Sequence, residues 1–126
     1  MPTIETAPSN PLYTRLHELE QETDLEFVFE LIDIYIDETP KQIQAIAEAL
    51  TSQVFPSLAI TAHTLKGSSL NLGAKQLGAL CLKLEEMGRA GKYFPEKNSI
   101  GEIEKEFEIV KTMLLEFKEN KKTPKL

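Results

Sequence analysis

A histidine, a lysine and a glycine stand close together in the segment AHTLKGSSLNLGA, residues 62–74. The imidazole of His63 is a nucleophile at neutral pH, and Lys66, three residues later, lies within its reach on a helix. Gly67 lies one helical turn after His63, although glycine costs a helix interior about 0.5–1 kcal/mol relative to alanine. A nucleophilic ring with open space beside it and a cation nearby could hold a phosphoryl group.

The apolar positions of this segment place His63 on the outer face of a helix. At about 100° per residue, His63 falls roughly 140° from the centre of the apolar stripe. Ala59, Lys66, Gly67 and Leu70 share the outer face, and the small Ala59 is expected to leave room for a partner. A solvated surface histidine without a role is the alternative at this point. The stripe itself consists of Leu58, Ala62, Leu65, Ser69 and Leu72.

Four further segments show the same helical spacing of apolar residues, and no alternating run indicates a strand. The stripes run through residues 12–19, 28–50, 77–87 and 100–117. Together with the helix that carries His63, they predict an all-α fold. We expect an antiparallel four-helix bundle with an additional short N-terminal helix.

The limits of the domain follow from composition and from helix signals. Residues 1–10 are predicted to be a flexible lead-in, residues 11–119 the helical bundle, and residues 120–126 a charged tail. Thr23 and Glu26 have the spacing of a capping box at the start of the long second helix. Pro40 lies within that helix, which leaves open whether it is one kinked helix or two in succession.

Composition excludes several classes of function. The chain has 126 residues with 14 basic and 20 acidic side chains, a net charge of −6 that argues against nucleic-acid binding. The single cysteine, Cys81, excludes an internal disulfide and a CxxC site. No apolar run approaches the roughly 18 residues of a membrane span, and the N-terminus lacks signal-peptide character. We therefore expect a soluble cytoplasmic domain that does not contact a membrane.

The histidine, lysine and glycine belong to a longer motif. It reads His63-x-x-Lys66-Gly67-Ser68-Ser69-x-x-Leu72-Gly73-Ala74 and is followed by Leu77, Cys81, Leu84-Glu85 and Gly88. With this pattern the sequence resembles the histidine-containing phosphotransfer (HPt) domain of two-component phosphorelays. The resemblance implies that His63 is phosphorylated and that Lys66 and Gly67 assist it. It also implies receiver domains as partners, no kinase activity of its own, and no cofactor, with magnesium bound by the receiver.

One position departs from the family's pattern. In some HPt domains a glutamine on the next helix contacts the histidine, and the matching residue here is Glu85. A carboxylate could accept a hydrogen bond from the imidazole and fix its tautomer, but it would repel a phosphate placed too close. Ser69 lies on the apolar stripe, where we expect its hydroxyl to bond to a helix carbonyl.

A second apolar set opposite the main stripe of the long helix admits two interpretations. Phe27, Leu31 and Ile34 could pack against the short first helix, or they could dock a partner together with Leu70. The second interpretation allows a helical adaptor without phosphate chemistry. A histidine-kinase dimerisation domain is a further alternative. Such domains usually have an acidic residue after the histidine and a proline soon afterwards, whereas this chain has Thr64 and no nearby proline.

Overall fold

A computed structural model describes residues 10–93 and 99–122 of the chain, and these residues form five α-helices. No strand occurs in these two ranges, and the predicted all-α fold is confirmed. None of the described helices combines the length and apolar character needed to span a lipid bilayer. The helices are α1 (Pro11–Glu22), α2 (Leu25–Ser52), α3 (Phe55–Asn71), α4 (Lys75–Ala90) and α5 (Ser99–Lys122).

Helices α2 to α5 form the bundle, and α1 packs against α2. Helix α3 contacts α2 and α4, and α5 contacts the same two helices, which closes the ring. Two or three residues connect α2 to α3 and α3 to α4, so these neighbours run antiparallel. The buried core contains the predicted stripe of α3 and the three leucines of α1.

The start of α2 differs from the sequence prediction. Asp24 is the N-cap, and its carboxylate accepts a hydrogen bond from the backbone N–H of Phe27 at 2.8 Å. The Thr23 hydroxyl instead donates to the carbonyl of Leu19 at 2.6 Å, at the end of α1. The predicted capping box is therefore wrong: both neighbouring residues can cap a helix, and each one serves a different helix.

The structure describes the region around Pro40 and both ends of the helical domain. Helix α2 continues through Pro40 to Ser52, so it is one helix and not two. Asn10 caps α1 by accepting from the N–H of Leu12 at 3.0 Å. Helix α5 extends to Lys122, past the predicted boundary at residue 119, and its last turn is basic, as the helix dipole favours. The remainder of the predicted lead-in and tail, residues 1–9 and 123–126, lies outside the described residues.

Candidate functional site

His63 projects from the outer face of α3. Its side chain is 60% exposed, whereas the apolar stripe of the same helix is buried. One turn further along, a β-carbon added to Gly67 would meet no atom within 4 Å. The ring therefore stands beside an open patch of surface, as its position opposite the stripe predicts.

Glu85 of α4 lies on the buried side of His63 and is the centre of the site. Its side chain is only 4% exposed, and its Oε2 atom lies 2.9 Å from His63 Nδ1. The same oxygen accepts from the guanidinium of Arg89, whose Nε is 3.0 Å away. The other oxygen, Oε1, lies 2.7 Å from the ammonium nitrogen of Lys66. A histidine, a lysine and an arginine thus converge on one buried carboxylate.

The charges of this cluster fix the direction of the hydrogen bond to His63. Contact with the Lys66 ammonium, helped by Arg89 and His63, lowers the pKa of Glu85 to about 2 against the opposing effect of burial. Glu85 is therefore a carboxylate at neutral pH and can only accept. Nδ1 of His63 must carry the proton, which leaves Nε2 as the ring nitrogen that can present a lone pair to a partner.

Lys66 and Arg89 hold the carboxylate in different ways. Arg89 donates two hydrogen bonds to Oε2, while the Lys66 ammonium pairs with Oε1 at 2.7 Å as a compact point charge. Lys66 is also only 22% exposed, so it lies closer to α4 than the free outer-face position expected from the sequence.

Sequence reasoning missed Arg89. The available signal was its position one turn after Glu85 on α4, the spacing at which opposite charges pair on a helix. Its side chain is 66% exposed, so the guanidinium covers the outer side of the buried carboxylate. The cluster of one carboxylate and two cations therefore carries one net positive charge next to the histidine ring.

Two small residues explain how α3 and α4 approach each other near this cluster. A β-carbon on Gly88 would lie 2.6 Å from the backbone nitrogen of Ala59, so the helices are nearly in backbone contact there. Ala59 is partly buried, and its small size serves this crossing. The expectation that Ala59 clears space for a partner stays a prediction. Leu70, in contrast, remains 46% exposed and covers Gly78 of α4.

The second apolar set of α2 is only partly buried. Phe27 is 41% and Ile34 59% exposed, so packing within this chain leaves much of both side chains open to solvent. Leu31 is partly buried against the core. Leu31 and Ile34 line a shallow groove between α2 and α3 together with Ser68. Docking of a partner on this surface stays a prediction.

The two serines of the motif have structural contacts. Ser68 donates to the carbonyl of Leu65 at 3.2 Å. The hydroxyl of Ser69 is buried and lies 2.7 Å from the hydroxyl of Tyr35 on α2, not on a helix carbonyl as expected. Burial raises the pKa of Tyr35, so its hydroxyl stays protonated in this pair. The Tyr35–Ser69 pair thus ties the helix that carries His63 to α2.

Other reactive groups of the described chain lie outside the site. Within residues 10–93 and 99–122, no three His, Cys, Asp or Glu side chains are grouped so that they could bind a metal ion. Cys81 is buried, and burial raises the pKa of its thiol to about 12. His17, the second histidine, is exposed and lies edge-on against the ring of Phe117.

Comparison with known proteins identifies the family. The family model described as Hpt domain matches residues 30–117, and the chain belongs to this family. Histidine-containing phosphotransfer protein 2 of Arabidopsis thaliana is 30% identical over 105 residues, which cover 81% of this chain and 67% of that protein. The crystal structure of histidine-containing phosphotransfer protein B (HptB) from Pseudomonas aeruginosa PAO1 superposes with a TM-score of 0.81 at 25% identity. The match covers 90% of this chain and 98% of HptB.

Two further relatives bear on the function of the family. Phosphorelay intermediate protein rdeA of Dictyostelium discoideum is 28% identical over 79% of this chain, which corresponds to 39% of that protein. Pseudo histidine-containing phosphotransfer protein 6 of Arabidopsis thaliana is 24% identical over 82% of this chain and 70% of its own length. The chain has a phosphotransfer role in two-component signalling. Because one relative is named a pseudo protein, the role of His63 must be argued from the site itself.

Proposed function

We propose that this protein is a phosphorelay intermediate in which His63 accepts a phosphoryl group from a receiver-domain aspartate and passes it to another receiver domain. The observation that carries the proposal is the orientation of the ring. Nδ1 is tied to the ionised Glu85 at 2.9 Å, while Nε2 belongs to a side chain that is 60% exposed. The nucleophilic nitrogen is thus held in place on an open surface.

The transfer needs no proton movement within this chain. The lone pair of Nε2 attacks phosphorus as the bond to the aspartyl oxygen breaks in line, and the aspartate leaves as a carboxylate. Nδ1 keeps its proton, so the phosphorylated ring carries a positive charge that faces the Glu85 carboxylate. The reverse reaction, with an aspartate of a second receiver as the nucleophile, discharges the histidine.

The partner supplies the remaining parts of the mechanism. Magnesium bound by the receiver would offset the charge of the phosphoryl group during transfer, so this chain needs no cofactor or kinase activity of its own. Gly67 would leave room for the loops of the receiver, and the exposed Ile34 and Leu70 would take part in docking it. Because each transfer joins one histidine to one aspartate, we expect the chain to act as a monomer.

The two histidines allow a controlled test of the proposal. Incubation with a phosphorylated receiver domain should place an acid-labile, base-stable phosphate on the wild-type chain. His63→Gln should abolish the label while circular dichroism shows an unchanged helical fold. His17→Gln should be labelled like the wild type, since His17 lies outside the Glu85 cluster.

Two results would refute the proposal. Label that persists in His63→Gln would place the phosphate on another residue. A wild-type chain that binds receivers but is never labelled by any of them would instead support the helical adaptor.

A further inference from the structure

We propose that Glu85 and the phosphoryl group on His63 compete for Lys66, so that the carboxylate at position 85 limits the share of phosphoryl groups that His63 holds at equilibrium. This inference rests on the proposed function. It assigns to Glu85 a second task besides orienting the ring, and it makes Lys66 a cation with two alternative partners.

The division of contacts between the two carboxylate oxygens supports this exchange. Oε2 holds both His63 and Arg89, whereas Oε1 faces the ammonium of Lys66 at 2.7 Å. Lys66 can therefore leave without breaking the hydrogen bond that orients the ring. Arg89 remains on Oε2 after Lys66 has left, so the buried carboxylate still has a cationic partner.

Charge and side-chain chemistry favour Lys66 as the residue that moves. A phosphoryl group brings close to two negative charges at neutral pH, compared with one on Glu85. Lysine is a compact charge on a flexible stem, so its ammonium can exchange one anionic partner for another without a fixed fork geometry. Lys66 also lies on the same helix as His63, at the spacing of neighbouring side chains.

The carboxylate matters because an amide would orient the ring without competing. A glutamine oxygen at position 85 could accept the same hydrogen bond from Nδ1, but it would not hold Lys66 by charge. The ion pair stabilises the unphosphorylated protein and must be broken before Lys66 reaches the phosphoryl group. Through this competition Glu85 makes the phosphohistidine a better phosphoryl donor, an effect opposite to the attraction between the same carboxylate and the positively charged ring. No bond to phosphorus and no proton position changes in this exchange.

A double-mutant cycle tests the competition. The wild type, Glu85→Gln, Lys66→Ala and the double variant are each mixed with a receiver domain that phosphorylates the wild type. The equilibrium ratio of phosphohistidine to phosphoaspartate is then measured. Glu85→Gln also removes the charge that faces the phosphorylated ring, but this effect occurs with or without Lys66 and cancels in the cycle. Glu85→Gln should change the ratio of phosphohistidine to phosphoaspartate by some factor in each background. We expect this factor to be about fivefold larger, in favour of phosphohistidine, with lysine at position 66 than with alanine.

Control variants with the same changes of charge are available on α4. Glu86→Gln and Lys83→Ala alter exposed side chains outside the cluster, and their cycle should show no coupling. The wild type provides a measurement that does not depend on the folding of any variant. On phosphorylation, the ¹⁵N resonance of the Lys66 ammonium should shift, while that of Arg89 Nε should stay close to its original position.

The outcomes separate this inference from the proposed function. If the wild type accepts phosphate on His63 but the effect of Glu85→Gln is equal in the two backgrounds, competition for Lys66 is refuted and the relay function stands. An unchanged Lys66 resonance in the phosphorylated wild type would refute it as well. A wild type that no receiver labels would overturn both proposals.

Discussion

Gly67 offers a substitution in which stability and function should change in opposite directions. A β-carbon at this position would meet no atom within 4 Å, so Gly67→Ala introduces no clash. Alanine is better than glycine in a helix interior by about 0.5–1 kcal/mol, and the whole of this gain should therefore be retained. With an unfolding entropy of about 2.1 cal/mol/K per residue, the midpoint of thermal unfolding should rise by about 2–4 °C.

Under the proposed function, the same empty space is where a receiver would approach His63. A side chain at position 67 lies one turn from the ring on the same face, so transfer should slow as the side chain grows from glycine through alanine to glutamine. Thermal melts and rates of transfer from a phosphorylated receiver, measured on the three proteins, test both effects. Ala45→Gly, at a partly buried position of α2, is a control that should lower stability without a direct effect on the approach to His63.

Two results would contradict this explanation of the glycine. If Gly67→Gln transferred phosphate as fast as the wild type, the clearing beside His63 would have no function. If Gly67→Ala lowered the midpoint of unfolding, the helix around the site would not have the regular conformation from which the gain is derived. The expected pattern, higher stability with slower transfer, is typical of positions where function opposes stability.

Three further predictions concern α4. Gly88→Ala should lower the free energy of unfolding by about 1–3 kcal/mol in urea melts, because its β-carbon would meet the backbone of Ala59; an unchanged melt would refute the close crossing. Because the pKa of Glu85 is lowered from 4.5 to about 2, its contribution to stability is present above pH 4.5 and is lost as the pH falls toward 2. Glu85→Gln should therefore flatten the loss of stability in this range, and Glu86→Gln should not. The Cys81 thiol should resist iodoacetamide in the native protein and react in urea, since it is buried and its pKa is raised to about 12; rapid native labelling would contradict its burial.

Helical periodicity was sufficient to predict the fold because one face of each helix is buried. The stripe through Leu58, Leu65 and Leu72 lies in the core, and its spacing alone placed His63 on the opposite face. The first residue of α2 was harder to predict from the sequence. Thr23 and Asp24 both prefer helix caps, and the choice between them depends on where α1 ends, which a local pattern does not contain.

The side-chain contacts of the site depend on how α3 and α4 cross. Because the sequence does not give the distance between these helices, it could not predict which side chains meet. Lys66 was placed correctly on α3 as a residue near His63, yet its partner is a carboxylate on α4. The sequence left the role of Glu85 open because the distance between the helices decides whether it reaches the ring. The contact of Ala59 with Gly88 was missed for the same reason, since a small residue on an outer face can clear space for a partner, admit a neighbouring helix, or do both.

The close crossing of α3 and α4 also explains why a buried carboxylate can serve this site. Ala59 lies one turn before His63, and Gly88 lies about one turn after Glu85, so the near-contact of their backbones brings the adjacent turns together. At this separation Glu85 reaches Nδ1 from beneath the ring, and Lys66 and Arg89 can supply the charge that its burial requires. The two glycines thus lie on opposite sides of the histidine. Gly88 admits the helix that orients the ring, and Gly67 leaves open the side from which, under the proposed function, a receiver would approach.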